Sequence, residues 1–256
     1  MKHSFIDKYS HLQSPIHRVD PRIKSITLTL FILFIIFTPP THFVSFSFYA
    51  LLIFILILFS QVPVGSIFKR SLVIIPFVLM IAIFIPFLKK GEIAGGYSFG
   101  TFQLTVTYDG LTVFWNVFIK SYLSILCLIL LSTTTKFSHL LKALESLKFP
   151  QIITMIISFM YRYIFVLVDE LMRMKRAKDS RTVGGSRLFH IKILANIVGM
   201  LFLRSYERGE RVYTAMVSRG FDGEARTLGQ FHLRKRDIGY SFIVIALLGL
   251  IRFGGG

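Results

Sequence analysis

The sequence predicts an all-α polytopic membrane protein of about five transmembrane helices, with two further long helices in the cytoplasm. Three observations carry that prediction. Hydrophobic residues fill 54% of the 256 positions and mean hydropathy is +0.65, above the roughly 45–50% apolar share of soluble domains. The apolar excess is gathered into long runs with few charges, as in a bilayer-spanning chain. The basic residues behind a net charge of +17 lie between those runs, where they orient a membrane protein. Spread in this way, the charge points to the lipid bilayer and away from nucleic acid as a partner.

The first apolar run is Ser25 to Phe37, stopped by Pro39-Pro40. Residues 1–24 carry Asp7 and Asp20 beside five basic residues, and no small-x-small cleavage pattern follows the run. A permanent first span is expected rather than a cleaved signal. The second run is Phe43 to Gln61, stopped by Pro63 and Gly65. The third is Leu72 to Leu88, with Pro76 and Pro86 inside it; a membrane helix tolerates such a proline when neighbours satisfy the freed carbonyl. A polar segment, Lys89 to Gly110, follows, and the alternation of Thr101 to Thr107 reads as a short hairpin strand. The fourth run is Leu111 to Leu131, with Trp115 near its start as an interfacial aromatic, and the last is Ile238 to Phe253.

Loop charges set the expected orientation. Residues 1–24 net +3, the 39–42 loop has no charge, the 61–70 loop nets +2 and the 89–110 segment nets zero. Residues 134–237 hold 19 Lys and Arg against 9 Asp and Glu. The positive segments belong inside, so the N-terminus, 61–70 and 134–237 are expected in the cytoplasm. The chain then divides into 1–133 with four spans, 134–237 as a cytoplasmic region and 238–256 with the last span. Pro150 to Val168 is also long and apolar. Crossing there would leave Arg173, Lys175, Arg176, Lys178, Arg181 and Arg187 outside unless Ile191–Leu203 crossed back, and that stretch is short and holds Lys192 and Asn196. Both are therefore read as cytoplasmic or membrane-hugging helices.

The first of these helices is expected from about Pro150 to Ser180. Arg162, Asp169, Arg173, Arg176 and Ser180 recur at helical spacing and form one polar stripe. The second is expected from about Arg187 to Arg219, with Arg204, Arg208, Arg211, Ala215 and Arg219 on one face and Glu207 able to pair with Arg211. The two end alike. Ala-x-x-Ser-Arg occurs at Ala177 to Arg181 and again at Ala215 to Arg219, each followed by glycines that stop a helix. Arginine at a helix C-terminus complements the macrodipole, and capping alone is one explanation. The other is that each arginine reaches past its helix into an acidic pocket on a partner, since the planar guanidinium pairs bidentately with carboxylate. A repeated tip calls for two equivalent pockets, hence a dimeric partner.

His17-Arg18-Val19-Asp20-Pro21-Arg22-Ile23-Lys24 before the first span resembles the opening motif of the T components of energy-coupling factor (ECF) transporters. Tyr161-Arg162-Tyr163, Asp169-Glu170-Leu171 and Arg176-Ala177 resemble the CbiQ branch, associated with cobalt and nickel, as does Arg211 to Gly223 with its Ala-Met-x-x-Arg-Gly-Phe-x-Gly string. The resemblance runs from residue 1 to about 225. It implies a coupling subunit whose two helix tips each engage one subunit of a paired ABC-type ATPase, passing motion to a substrate-binding membrane S component. The implied contact residues are Ser180, Arg181 and Thr182 at the first tip, and Ser218, Arg219 and Gly220 at the second. Thr182 stands where the family often has a small residue. The implied home is the inner membrane of a bacterial or archaeal cell, with ATP bound by the partner ATPases and no cofactor or metal in this chain. A T component for a vitamin or another micronutrient is the alternative substrate reading, and a membrane-embedded enzyme the alternative class.

The remaining candidates carry less. No Gly-x-x-x-x-Gly-Lys-Ser/Thr phosphate cradle is present, so this chain is expected not to be an enzyme itself. His3, His11, His17, His42, His139, His190 and His232 show no tight ligand spacing. Cys127 lies inside an apolar run and reads as a small buried hydrophobe. Lys120 falls near the middle of the fourth run, at a cost of roughly 2.5–3.5 kcal/mol unless it snorkels or meets a polar partner. Asp109 sits at a run boundary. Acidic residues are too few in the runs for a membrane protease or a proton-coupled carrier.

Overall fold

A computed structural model of the chain describes residues 10, 12, 14–89, 93–99, 102–181, 184, 186–223 and 233–254, with backbone alone at 88, 93–99 and 102–106. Helices α1 (Pro21–Phe37), α2 (Phe43–Ser60), α3 (Val64–Ala82) continued by α4 (Ile85–Leu88), α5 (Tyr108–Thr134) and α9 (Lys235–Gly254) correspond to the five expected spans. Between α4 and α5 lies a hairpin of β1 (Ile93–Phe99) and β2 (Phe102–Thr107), and α6 (Phe137–Ser146), α7 (Gln151–Arg181) and α8 (Arg187–Val217) precede α9. The described residues form two compact units, one within 144–230 and the other from 4–143 and 231–256.

The larger unit is a bundle of the five span helices. Asp20 caps α1 by accepting the Arg22 N–H at 2.9 Å, and Pro21 occupies the first helical position, where no N–H is needed. The helix stops at Thr38, which turns extended before Pro39 as a residue preceding proline must. Its 17 residues make a span of about 25 Å. α2 closes on Gln61, in the left-handed region at φ 56°, whose N–H reaches the Leu58 carbonyl at 3.2 Å.

The third helix departs from the expected boundary. It begins at Val64 rather than at Leu72, so Lys69 and Arg70, expected in a loop, sit on its first two turns. Charge alone does not stop a helix: Lys and Arg are good helix formers with long stems. The two prolines behave differently. α3 runs through Pro76 without a break, but ends at Ala82, four residues before Pro86. A proline ring crowds the carbonyl four residues back and offers it no donor, so the chain turns at Ile83 and Phe84 and restarts as α4. The expected strand at 101–107 is β2, antiparallel to β1 from Phe99↔Phe102 to Ile93↔Thr107, with a register shift between Ile93 and Gly95.

α5 is the central helix and touches α1, α2, α3 and α4, while α9 lies against α1 and α2. Phe31, Tyr49, Ile53, Leu130 and Leu248 are fully buried at these contacts. Cys127 is buried among them as a free thiol, in the role of a small hydrophobe. Hydroxyls tie the helices together: Thr27 Oγ1 donates to Ser241 Oγ at 3.0 Å, and Ser45 Oγ to the Ile251 carbonyl at 3.3 Å. Interhelical bonds of this kind replace the hydrophobic drive that lipid does not provide. The outer surfaces stay apolar and bare, as at Phe242 (74% exposed) and Leu250 (69%), which suits lipid. Lys120, the expected misfit, does find a polar partner: its Nζ donates to the carbonyls of Thr38 at 2.7 Å and Ile36 at 3.0 Å, and lies 5.9 Å from the centre of the Phe46 ring.

Candidate coupling site

The second unit is dominated by α7 and α8, each of 31 residues. Ser186 caps α8, its Oγ accepting the Phe189 N–H at 3.3 Å. Glu170 joins the two helices. One carboxylate oxygen is paired with Arg204 of α8, and the other lies 3.3 Å from Arg173 one turn along α7. The expected Glu207–Arg211 pair is present at 3.7 Å, on the exposed side of α8. The stripe predicted on α8 is exposed, as are Arg162, Arg173, Arg176 and Ser180 of the α7 stripe, and the link between the helices runs from Arg204 of the α8 stripe to Glu170, beside the α7 stripe.

The repeated Ser-Arg tips share a geometry as well as a sequence. Ser180 Oγ donates back to the Arg176 carbonyl at 2.6 Å, and Ser218 Oγ to the Thr214 carbonyl at 2.9 Å. Each serine therefore bonds its own helix four residues back, one position before the arginine. Arg181 and Arg219 are exposed, and among the described residues neither guanidinium forms an ion pair. At the second tip Gly220 takes φ 82°, and two crossed bonds close the helix: Phe221 N–H to the Met216 carbonyl at 3.1 Å and Gly220 N–H to the Val217 carbonyl at 2.9 Å. That is the Schellman stop, with glycine at the left-handed position. Thr182, the third expected residue of the first tip, lies outside the described residues.

The Glu170–Arg204 pair also fixes how the tips are spread. Arg181 lies about 16 Å along α7 beyond Glu170, and Arg219 about 22 Å along α8 beyond Arg204. Six covalent steps join Arg181 to Arg187, so the start of α8 stays within about 20 Å of the end of α7. The two arginines consequently fall on opposite sides of the crossing, on the order of 35 Å apart.

Sequence reasoning missed two features. α6 is a short amphipathic helix announced by Leu140, Leu141, Leu144 and Leu147, but it is too short to stand out beside the spans. Lys24, the last residue of the opening motif, is 1% exposed and bonds to the end of α5. Among the described residues, no group of three or more His, Cys, Asp and Glu side chains comes together.

Long apolar helices of this kind define a multi-pass membrane component rather than a soluble domain. Among the described residues six helices, α2, α3 with α4, α5, α7, α8 and α9, are long and apolar enough to cross a bilayer. The chain belongs to the CbiQ family, described as cobalt transport protein, whose family model matches residues 13–229. It is 30% identical over 265 positions, covering 97% of both chains, to the energy-coupling factor transporter transmembrane protein EcfT of Streptococcus thermophilus. The EcfT of Ruminiclostridium cellulolyticum is 27% identical, over 95% of this chain and 94% of its own. An uncharacterised protein of Methanocaldococcus jannaschii is 26% identical over 98% and 87%. The resemblance read from the opening motif and the second tip is therefore that of a family member, a transporter membrane component of the T type.

Proposed function

We propose that this chain is the coupling subunit of an ATP-driven ECF-type uptake transporter that imports cobalt or nickel ion. The observation that carries this is the duplicated tip. Two exposed arginines, without an ion pair among the described residues, stand on like-built helix ends, on opposite sides of one α7–α8 crossing. Each arginine, with Ser180 and Thr182 or with Ser218 and Gly220, enters an acidic pocket on one subunit of a paired ABC-type ATPase. ATP is bound and hydrolysed by those partners. Their closure moves the two tips, and the α7–α8 pair, held through Glu170, carries the movement to a separate membrane S component that holds the ion. Residues 134–237 and the N-terminus are cytoplasmic in this scheme, as the loop charges support, with 1–133 and 238–256 forming the membrane part.

The choice of ion follows the description of the matched family. The names of the EcfT relatives specify no substrate, so a vitamin or another micronutrient is the competing cargo.

Co-expression of the tagged chain with paired ABC-type ATPases tests the coupling step. Wild type is expected to retain the ATPases on pull-down, and Arg181→Glu with Arg219→Glu to lose them at equal membrane insertion. Equal recovery would reduce both arginines to helix caps and remove the coupling contact from the tips. Uptake of labelled cobalt and nickel by cells carrying the complete transporter then decides the cargo.

A further inference from the structure

Where α1 and α9 begin and α2 ends, the bundle holds an open cavity of about 760 Å³ that the coupling mechanism does not use. Its mouth and its depth differ in chemistry. Arg18, Arg234 and Arg236 stand at the mouth, all exposed, and among the described residues none of the three forms an ion pair. Asp237 is the acidic residue of the lining, and its carboxylate is engaged: Oδ2 accepts the Arg234 N–H at 3.0 Å as part of the turn that opens α9. Among the described lining residues the mouth therefore carries an excess of two positive charges. Deeper in, the walls are apolar, with Leu56 on α2 and Ile243 and Leu247 on α9. From Lys235 to Leu247 this wall runs about 18 Å along the helix, close to the thickness of one hydrocarbon leaflet, roughly 15 Å.

We propose that this cleft between α2 and α9 is a binding seat for one anionic glycerophospholipid, its phosphate held by Arg18, Arg234 and Arg236 and an acyl chain laid along the apolar walls. The charge of the mouth selects the headgroup. Guanidinium groups bind phosphate oxygens in bidentate fashion, and basic pockets between transmembrane helices hold anionic lipid headgroups. The length of the apolar wall selects a lipid over a soluble phosphate, which would leave Ile55, Ile243 and Leu247 bare. Arg18 belongs to the segment entering α1, and Arg234 and Arg236 to the segment entering α9. One headgroup thus ties together the two ends of the chain that build the bundle. The leaflet occupied is the cytoplasmic one under the orientation proposed above, but binding itself does not depend on that orientation or on ATPase coupling.

Native mass spectrometry of the full chain in non-ionic detergent, titrated with phosphatidylglycerol or phosphatidylcholine, tests the seat. Wild type is expected to retain one phosphatidylglycerol under conditions that strip phosphatidylcholine. Each guanidinium removed by Arg18→Gln, Arg234→Gln or Arg236→Gln should weaken retention about fivefold. A charge-matched control, Lys175→Gln with Arg187→Gln and Arg208→Gln on α7 and α8, should retain the lipid like wild type. Ile55→Trp, at an exposed lining position of α2, fills the wall and leaves every charge in place; it should also lose the lipid, and this variant decides the matter if the arginine variants fail to fold. Unchanged retention in the triple variant Arg18→Gln with Arg234→Gln and Arg236→Gln, or in Ile55→Trp, would overturn the proposal. So would equal loss in the control, which would mean general charge attraction. Displacement of the lipid by glycerol 3-phosphate as effective as by lysophosphatidylglycerol would show a soluble-anion site instead and would overturn it as well.

Discussion

The Lys24 side chain donates from Nζ to the Thr134 carbonyl at 3.2 Å, joining the first turn of α1 to the last residue of α5. Thr135 Oγ1 lies at the same distance. The last carbonyls of a helix have no partner within it and carry the negative end of its dipole, so a buried ammonium meets two needs there. Lys120 does the converse. It stands on α5 and donates to Ile36 and Thr38 at the end of α1. The two helices run antiparallel, and each lends a lysine to the C-terminus of the other.

Removing Lys24 should therefore cost more than an ordinary surface lysine. Lys24→Met keeps the stem and deletes the charge, leaving the end of α5 unsatisfied inside the protein. A loss of about 1.5–3 kcal/mol is expected, the range for a hydrogen bond from a charged group. Lys120→Met should cost less, because Lys120 is only half-buried and one of its two acceptors belongs to the exposed Ile36. The two sites share no partner and lie at opposite ends of α1, so the double variant should add to within about 0.5 kcal/mol. Denaturant unfolding in detergent reads all three. Wild-type stability in Lys24→Met would show that the bond is dispensable.

The Glu170–Arg204 pair makes a different demand. Glu170 is 21% exposed and Arg204 51%, so screening keeps its energy small, about 0.5–1 kcal/mol by double-mutant cycle. Its value lies in geometry, since it links α7 to α8. Glu170→Gln is expected to leave membrane insertion and ATPase recovery near wild type and to lower transport per ATP hydrolysed. The charge swap Glu170→Arg with Arg204→Glu should restore part of that yield. Transport unchanged in Glu170→Gln would mean that the helices are held by other contacts.

Much of this was legible in the sequence because lipid and water impose opposite patterns on the chain. The five spans, the strand at 102–107, the buried Cys127 and the ends of α7 and α8 all follow from apolar runs, alternation and stop signals. The repeated Ser-Arg tip was visible as a string, but not its geometry: that both serines bond back four residues is a property of the folded ends. Boundaries set by sterics rather than polarity were hidden. The start of α3 at Val64 lies in a charged stretch, and only the contrast between Pro76 and Pro86 shows which proline its surroundings absorb. In the sequence Lys24 is only the edge of the opening motif, because which carbonyl a lysine will meet 110 residues away is not written locally.

Two glycines separate folding from coupling. A Cβ on Gly110 would lie 2.7 Å from Pro86 Cα and 2.9 Å from the Pro86 carbonyl oxygen, both backbone atoms that cannot swing aside. Gly110 is also the donor that Thr107 Oγ1 accepts at 3.2 Å as it caps α5, so the contact fixes α4 against the start of the central helix. Gly110→Ala should overpack this corner and destabilise the bundle by about 1–3 kcal/mol. Gly220 differs in kind: nothing lies within 4 Å of an added Cβ, but its φ of 82° is strained for any L-residue. Gly220→Ala should cost about 1 kcal/mol locally and re-aim Arg219, whereas Gly220→Asn, which tolerates the left-handed region, should cost less. The expected split is a lower unfolding midpoint with ATPase retention intact in the folded fraction for Gly110→Ala. Gly220→Ala should give a near-wild-type midpoint with weaker retention, partly recovered in Gly220→Asn. Retention equal to wild type in Gly220→Ala would mean that the aim of Arg219 does not depend on the glycine stop. The second tip would then act through its charge alone.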